Sequence, residues 1–265
     1  MSHSASGPLF ESDHPIFNNS QSSRTLDVTQ IDSTLCNGLW GVQCNQVFSE
    51  EECQMIIEAA EARGFEKALL NLGGGHQMLA ENTRKHLRVM VDDFRLAPEI
   101  FGRIKGALPK TFQGHSLVGL NERLRILKYH PGDFFAIHKD GNYTRNGEIS
   151  KITMLFYLNE GYEGGETTFY KPAGHQVNLK VIPKSGMILL HDHKIDHGVP
   201  ELEKGVKYVI RTDVMYSEKA DTKQADAEQV DTKQVDTKQV ESELSNKQAG
   251  HKRSEPKSFP ICSII

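Results

Sequence analysis

The sequence predicts an α+β chain that is mainly β. Helix signals are confined to the stretch before Leu108. After Gly119, short apolar stretches recur at fairly regular spacing, each closed by Gly, Pro or Asn, the pattern of a β-sandwich or jelly roll. Helices followed by strands fit a general α+β domain equally. With 37% hydrophobic residues, 12 Phe and 7 Tyr, the chain can bury a real core, so disorder throughout is excluded.

The elements follow in order. Ser49 and Glu52 form a capping-box pattern, and Cys53, Ile56, Ile57 and Ala60 then repeat at helical spacing. A second helix is expected from Ala97-Pro98, with Pro98 at its first position, carrying Ile100, Phe101, Ile104 and Leu108 to a stop at Pro109. Gly73-Gly74-Gly75 between them marks a mobile loop. Strands are expected at 122–129, 134–138, 151–159, 166–170, 177–182, 187–191 and 206–216.

Both ends are polar. Residues 1–35 read as a disordered leader, 36–216 as the globular domain with its core at 120–216, and 217–265 as a low-complexity tail. The tail holds four consecutive pentapeptides, DTKQA, DAEQV, DTKQV and DTKQV, with too little apolar content to offset ordering entropy. A net charge of −4 with no global basic field argues against a nucleic-acid partner. No apolar window is long enough to span a membrane, and Met1–Pro15 lacks an apolar signal core, so a cytoplasmic location is expected. Cys36, Cys44, Cys53 and Cys262 show no CxxC spacing and read as free thiols in a reducing compartment.

Three segments carry chemistry. His138 and Asp140 stand at i and i+2, so on a strand an imidazole and a carboxylate share one face and can converge on a cation. The run His191-Asp192-His193-Lys194-Ile195-Asp196-His197-Gly198 follows an apolar strand, and a histidine there completes a two-His, one-carboxylate face suited to non-haem Fe(II). His191 and His193 read either as surface residues or as rival ligands. In the third segment Lys207, Val209, Arg211 and Asp213 share one strand face. A cation turned into a barrel needs an anion, and a dicarboxylate co-substrate is one; an exposed strand face is the other reading.

Jointly these motifs are far more specific. YHPGDFFAIHKDG (129–141), FYLN (156–159), GGETTF (164–169) and HGVPELEKGVKYVIRTDVMY (197–216) resemble the prolyl 4-hydroxylase α-subunit catalytic domain, within the Fe(II)/2-oxoglutarate-dependent dioxygenase superfamily. The likeness runs from about Trp40 to Tyr216 and is strongest from Leu124. It implies a double-stranded β-helix core with supporting helices. It also implies His138, Asp140 and His197 as iron ligands, and Lys207 on the distal carboxylate of 2-oxoglutarate, with Arg211 as runner-up. Tyr129 and Tyr157 match co-substrate hydrogen-bonding tyrosines. O₂ as co-substrate and ascorbate come with the family, as do succinate and CO₂ as products. The implied substrate is a protein or peptide, with proline as the target residue. Hydroxylation of another residue or a small molecule, and a non-catalytic jelly-roll binding module targeted by its tail, are the alternatives. Gly73–Gly75 and Asn82-Thr83-Arg84 are placed as a lid over the substrate, or as surface loops with no such role.

The last four residues, Cys262-Ser263-Ile264-Ile265, form a loose prenylation box behind a locally basic stretch. A prenylated Cys262 with that stretch is expected to associate with membranes. The sequence assigns no oligomeric state.

Overall fold

A computed structural model describes residues 7–17, 25–68, 70–71, 77–78, 80, 82–172 and 176–217. The repeats, the Gly73–Gly75 loop and Cys262 lie outside the described residues. The strands that matter are β1 (Asp27–Gln30), β2 (Gly41–Asn45), β3 (Arg84–Lys85), β4 (Leu87–Asp92), β5 (His115–Leu120), β6 (Arg123–Tyr129), β7 (Phe134–His138), β8 (Glu148–Tyr157), β9 (Thr167–Tyr170), β10 (Val177–Val181), β11 (Ile188–Asp192), β12 (His197–Val199) and β13 (Lys207–Ser217). The helices are α1 (Glu50–Arg63) and α2 (Leu96–Ile104).

Two antiparallel sheets face each other. The larger runs β1-β2-β11-β8-β13-β6-β4, and the smaller β10-β9-β12-β7-β3. This is the expected jelly-roll core, and both helices pack on the outer face of the larger sheet. Along β8, Ile152, Met154 and Phe156 join the helix-side core with Ile56, Ile100, Ile104, Ile126 and Ile210. Leu155 and Tyr157 join a second core between the sheets with Tyr129, Phe169, Leu189 and Val209. A strand covered on both faces reads as one apolar run, which is why TMLFYL stands out in the sequence.

The capping box forms as expected. Ser49 N–H donates to Glu52 Oε2 at 2.8 Å and Glu52 N–H to Ser49 Oγ at 3.2 Å. The second helix begins earlier than expected, at Leu96, so Pro98 is its third residue rather than its first. The start is set by Asp93, whose Oδ1 accepts from Arg95 N–H and Leu96 N–H at 3.0 and 2.8 Å. It ends in a 3₁₀ turn, Lys105–Ala107.

The expected structureless leader is corrected for 7–17 and 25–35. Leu9, Phe10 and Ile16 are buried in the helix-side core, and β1 pairs with β2 from Asp27–Asn45 to Gln30–Val42. Cys36, Cys44 and Cys53 are free thiols, all buried. No helix among the described residues is long and apolar enough to cross a membrane.

Candidate metal and co-substrate site

His138 ends β7 and His197 opens β12, and the two are Cα partners across the smaller sheet. Asp140 follows two residues after His138, its N–H donating to the His193 carbonyl at 3.0 Å. One ligand atom from each of His138, Asp140 and His197 lies within 4.8 Å of the others. His138 Nε2 is 3.8 Å from Asp140 Oδ1, and His197 Nε2 is 3.5 Å from Asp140 Oδ2; each side chain is 7% exposed or less.

The tautomers fit a cation. His138 Nδ1 meets the Ala136 carbonyl at 2.8 Å, and His197 Nδ1 meets the Ile195 carbonyl at 3.0 Å. A carbonyl only accepts, so both Nδ1 atoms carry the proton and both Nε2 lone pairs face Asp140. Burial, with His197 beside it, pushes His138 down to about 3, so it is neutral as a ligand must be. Burial alone raises a carboxyl, but Arg211 and the two imidazoles hold Asp140 well below the usual range. Thr153 donates its hydroxyl to Asp140 Oδ2, and Arg211 Nη2 reaches Oδ1 at 3.0 Å. The donor set, two imidazoles presenting Nε2 and one carboxylate on one face, fits Fe(II).

Lys207 opens β13, Cα-paired with Tyr129. It is 1% exposed. Its Nζ donates to the Gly165 carbonyl at 2.7 Å and lies 5.2, 5.8 and 6.0 Å from the rings of Tyr129, Tyr157 and Tyr162. It forms no ion pair among the described residues. Burial pushes its ammonium down to about 7, against a weak pull from Glu166. A buried cation without a counter-ion is a receiver for an anion.

The two groups share one cavity of about 160 Å³ between the sheets. One water needs roughly 10–15 Å³ of such space, so the cavity has room for a molecule of several non-hydrogen atoms. His138, Asp140, His197, Tyr129, Lys207 and Arg211 all line it. Tyr157 does not; its hydroxyl donates to Thr167 Oγ1 at 2.7 Å, and Thr167 is the lining residue.

Residues 124–212 match the family model of the 2OG-Fe(II) oxygenase superfamily. This segment belongs to that superfamily. The superfamily's description names iron(II) and 2-oxoglutarate. An uncharacterized protein of Fowlpox virus (strain NVSL) is 30% identical over 102 residues, 38% of this chain and 23% of that protein. The match therefore spans less than a quarter of the relative's length. A viral collagen prolyl hydroxylase from Paramecium Bursaria Chlorella virus-1, solved with 2OG, is 19% identical, covering 69% of this chain and 98% of that one at a TM-score of 0.49. A prolyl hydroxylase from Trichoplax adhaerens, solved with a hypoxia inducible factor peptide, is 15% identical over 81% of this chain and 92% of that one, with a TM-score of 0.47.

Several sequence readings change in the oxygenase's structure. Arg211 is beside Asp140 and Asp213, at 3.0 and 3.1 Å, and not beside Lys207. Lys207 and Arg211 do not form an exposed face, because Lys207 is buried and the Arg211 side chain is only 13% exposed. His191 and His193 are buried rather than on the surface. His193 Nε2 stands 3.6 Å from Asp213 Oδ1, bracing the carboxylate that braces Arg211. Arg84 is on a paired strand, with Phe135 as its Cα partner, and Ala136 N–H donates to the Thr83 carbonyl at 2.8 Å, so this stretch is a fixed wall. Sequence reasoning missed Arg88, His86 and Arg125, which also line the cavity. The signal available was the period-2 recurrence of Arg84, His86, Arg88 and Met90.

Proposed function

We propose that this oxygenase binds Fe(II) through His138 Nε2, Asp140 and His197 Nε2, holds 2-oxoglutarate by its distal carboxylate on Lys207, and hydroxylates a peptidyl proline. The observation that carries the reading is the pairing, in one cavity, of a two-His, one-carboxylate face with a buried lysine that has no counter-ion among the described residues. Iron(II) bound there supplies O₂ activation coupled to decarboxylation of 2-oxoglutarate to succinate and CO₂.

The chain's own residues then position and shield. Lys207 fixes one end of the dicarboxylate, so the other end is aligned at the ligand face before reaction. Phe135, stacked on His138 with ring centroids 3.8 Å apart, and the aliphatic lining of Leu127, Leu155, Val199 and Val209 exclude water from that face. Arg211 and Thr153 hold Asp140 ionised and oriented. The proline preference rests on the sequence resemblance across 129–141 and 197–216, including lysine where many relatives carry arginine.

The experiment is succinate release from 2-oxoglutarate by the full chain with added Fe(II). Release is expected with the native chain. His138→Ala is expected to lower it at least a hundredfold, in line with the loss of a metal ligand. Equal turnover in that variant overturns the site.

A further inference from the structure

The cavity holds more positive charge than the reaction above uses. Arg123 is answered by Asp92 through two contacts of 2.7 and 2.8 Å, and Arg88 faces Glu66 at 3.6 Å. Arg211 takes Asp140 and Asp213. Arg125 shares Asp213 at 3.5 Å, and its Nη1 is buried with no hydrogen-bond partner among the described residues. Arg84 forms no ion pair among them; its guanidinium lies 5.5 Å from the Phe135 ring centroid, and its Nε is buried without a partner. His86, 5% exposed, has both ring nitrogens buried and unpartnered. Buried polar groups in folded proteins are almost always satisfied, so three unsatisfied donors lining one cavity point to a ligand.

The co-substrate does not account for the two arginines, although His86, with its ring centroid 4.6 Å from that of Tyr129, lies at the lysine end. Arg125 is the Cα partner of Arg211, and Tyr129 that of Lys207. Four strand residues separate the two rows, about 13 Å at the rise of a β-strand. The lysine takes one carboxylate of the co-substrate, the ligand face takes the other, and the arginines remain. Two guanidinium forks match a planar carboxylate in geometry and sign.

We infer that Arg84 and Arg125 receive a carboxylate carried by the substrate beside its hydroxylated residue. The inference rests on the oxygenase reading of the site and names its substrate class: an acidic peptide. Arg84 comes from the segment that walls the cavity next to Phe135, so the charged residue and the target carbon are read by neighbouring surfaces.

The test uses the full chain and three short proline peptides. One is amidated with Asp next to proline, one is amidated with Asn there, and one has the proline followed directly by a free C-terminal carboxylate. Dissociation constants are measured by fluorescence anisotropy and succinate release is followed in parallel. The Asp peptide is expected to bind about tenfold or more tightly than the Asn peptide, as for a charge-assisted contact. Arg84→Gln and Arg125→Gln are each expected to reduce that ratio toward one. Preference for the free-acid peptide alone supports the same carboxylate site and assigns it to a chain end. Equal affinity of the native chain for the Asp and Asn peptides, with no preference for the free acid, overturns the inference, and that comparison needs no variant to fold. Succinate release that no peptide raises overturns it too, while leaving the oxygenase reading standing. No succinate under any condition overturns the oxygenase reading itself.

Discussion

Lys207 shows how burial turns one residue into a sensor of its ligand. With no acid at hydrogen-bond distance and three tyrosine rings around it, the ammonium is held at about 7, against an ordinary 10.5. The dicarboxylate proposed for this site needs the charged form. Raising pH above 7 removes that charge from the free protein, so the half-saturating 2-oxoglutarate concentration is expected to climb, approaching tenfold per pH unit. The stability sign follows from proton counts. Between about 7 and 10.5 the unfolded chain holds a proton on Lys207 that the empty folded protein does not, so this group makes stability rise with pH across that window. Thermal midpoints of the native chain and Lys207→Met, measured without co-substrate from pH 6.5 to 9.5, check this. The native-minus-variant difference should increase with pH, and a flat difference refutes the assignment.

The same scale explains what the sequence discloses. His138 and Asp140 are legible because i and i+2 on a strand share a face, and His197 because it follows an apolar strand. Arg84, His86 and Arg88 are not, because alternating polar residues read alike whether they face solvent or a cavity. Which face is inside is decided by β3 and β7 pairing, from Phe134–Lys85 to Phe135–Arg84, a long-range contact with no local signature. Tyr157 fails for a related reason: only the register of β8 puts Thr167 between its hydroxyl and the cavity.

At the scale of elements, α1 and α2 are joined by one carboxylate with two tasks. Glu52 closes the capping box of α1 and is 1% exposed. Arg103 from α2 grips it with Nη1 and Nη2 at 2.9 and 2.7 Å, lying 3.8 Å from the Phe48 ring centroid. The capping motif is visible in Ser49-Glu50-Glu51-Glu52; the arginine 51 residues away is not. The two residues are therefore expected to differ sharply. Ser49→Ala loses one cap, about 1 kcal/mol. Glu52→Ala removes the cap and leaves Arg103 with Glu99 as its remaining carboxylate, a loss of about 1.5–3 kcal/mol beyond the cap. Urea denaturation of both variants measures this, and equal losses refute the shared role of Glu52.

Within the described residues, the larger sheet separates two cores: helices and the N-terminal segment on one side, the cavity with the candidate site on the other. Sequence periodicity shows β8 and β13 well because both are buried on two faces. It shows the N-terminal segment poorly, since Leu9, Phe10 and Ile16 are isolated apolar residues in polar surroundings with neither helical nor strand period. Their place is fixed by distant partners. Asp93, which starts α2 with Oδ1, accepts Leu9 N–H on Oδ2 at 2.6 Å, and Arg95 Nη2 donates to the Phe10 carbonyl at 3.0 Å. Deleting residues 1–17 removes three buried side chains from the helix-side core, each contributing up to about 1.5–3 kcal/mol as an upper bound. It also leaves one oxygen of buried Asp93 without its partner. The expected outcome is a loss of several kcal/mol in denaturant unfolding. The half-saturating 2-oxoglutarate concentration of the protein that remains folded should change little, because none of the described residues among those deleted lines the cavity. A truncated chain with an unchanged unfolding midpoint means the segment contributes nothing to the core. Weakened co-substrate binding at full folding means the sheet does not insulate one core from the other.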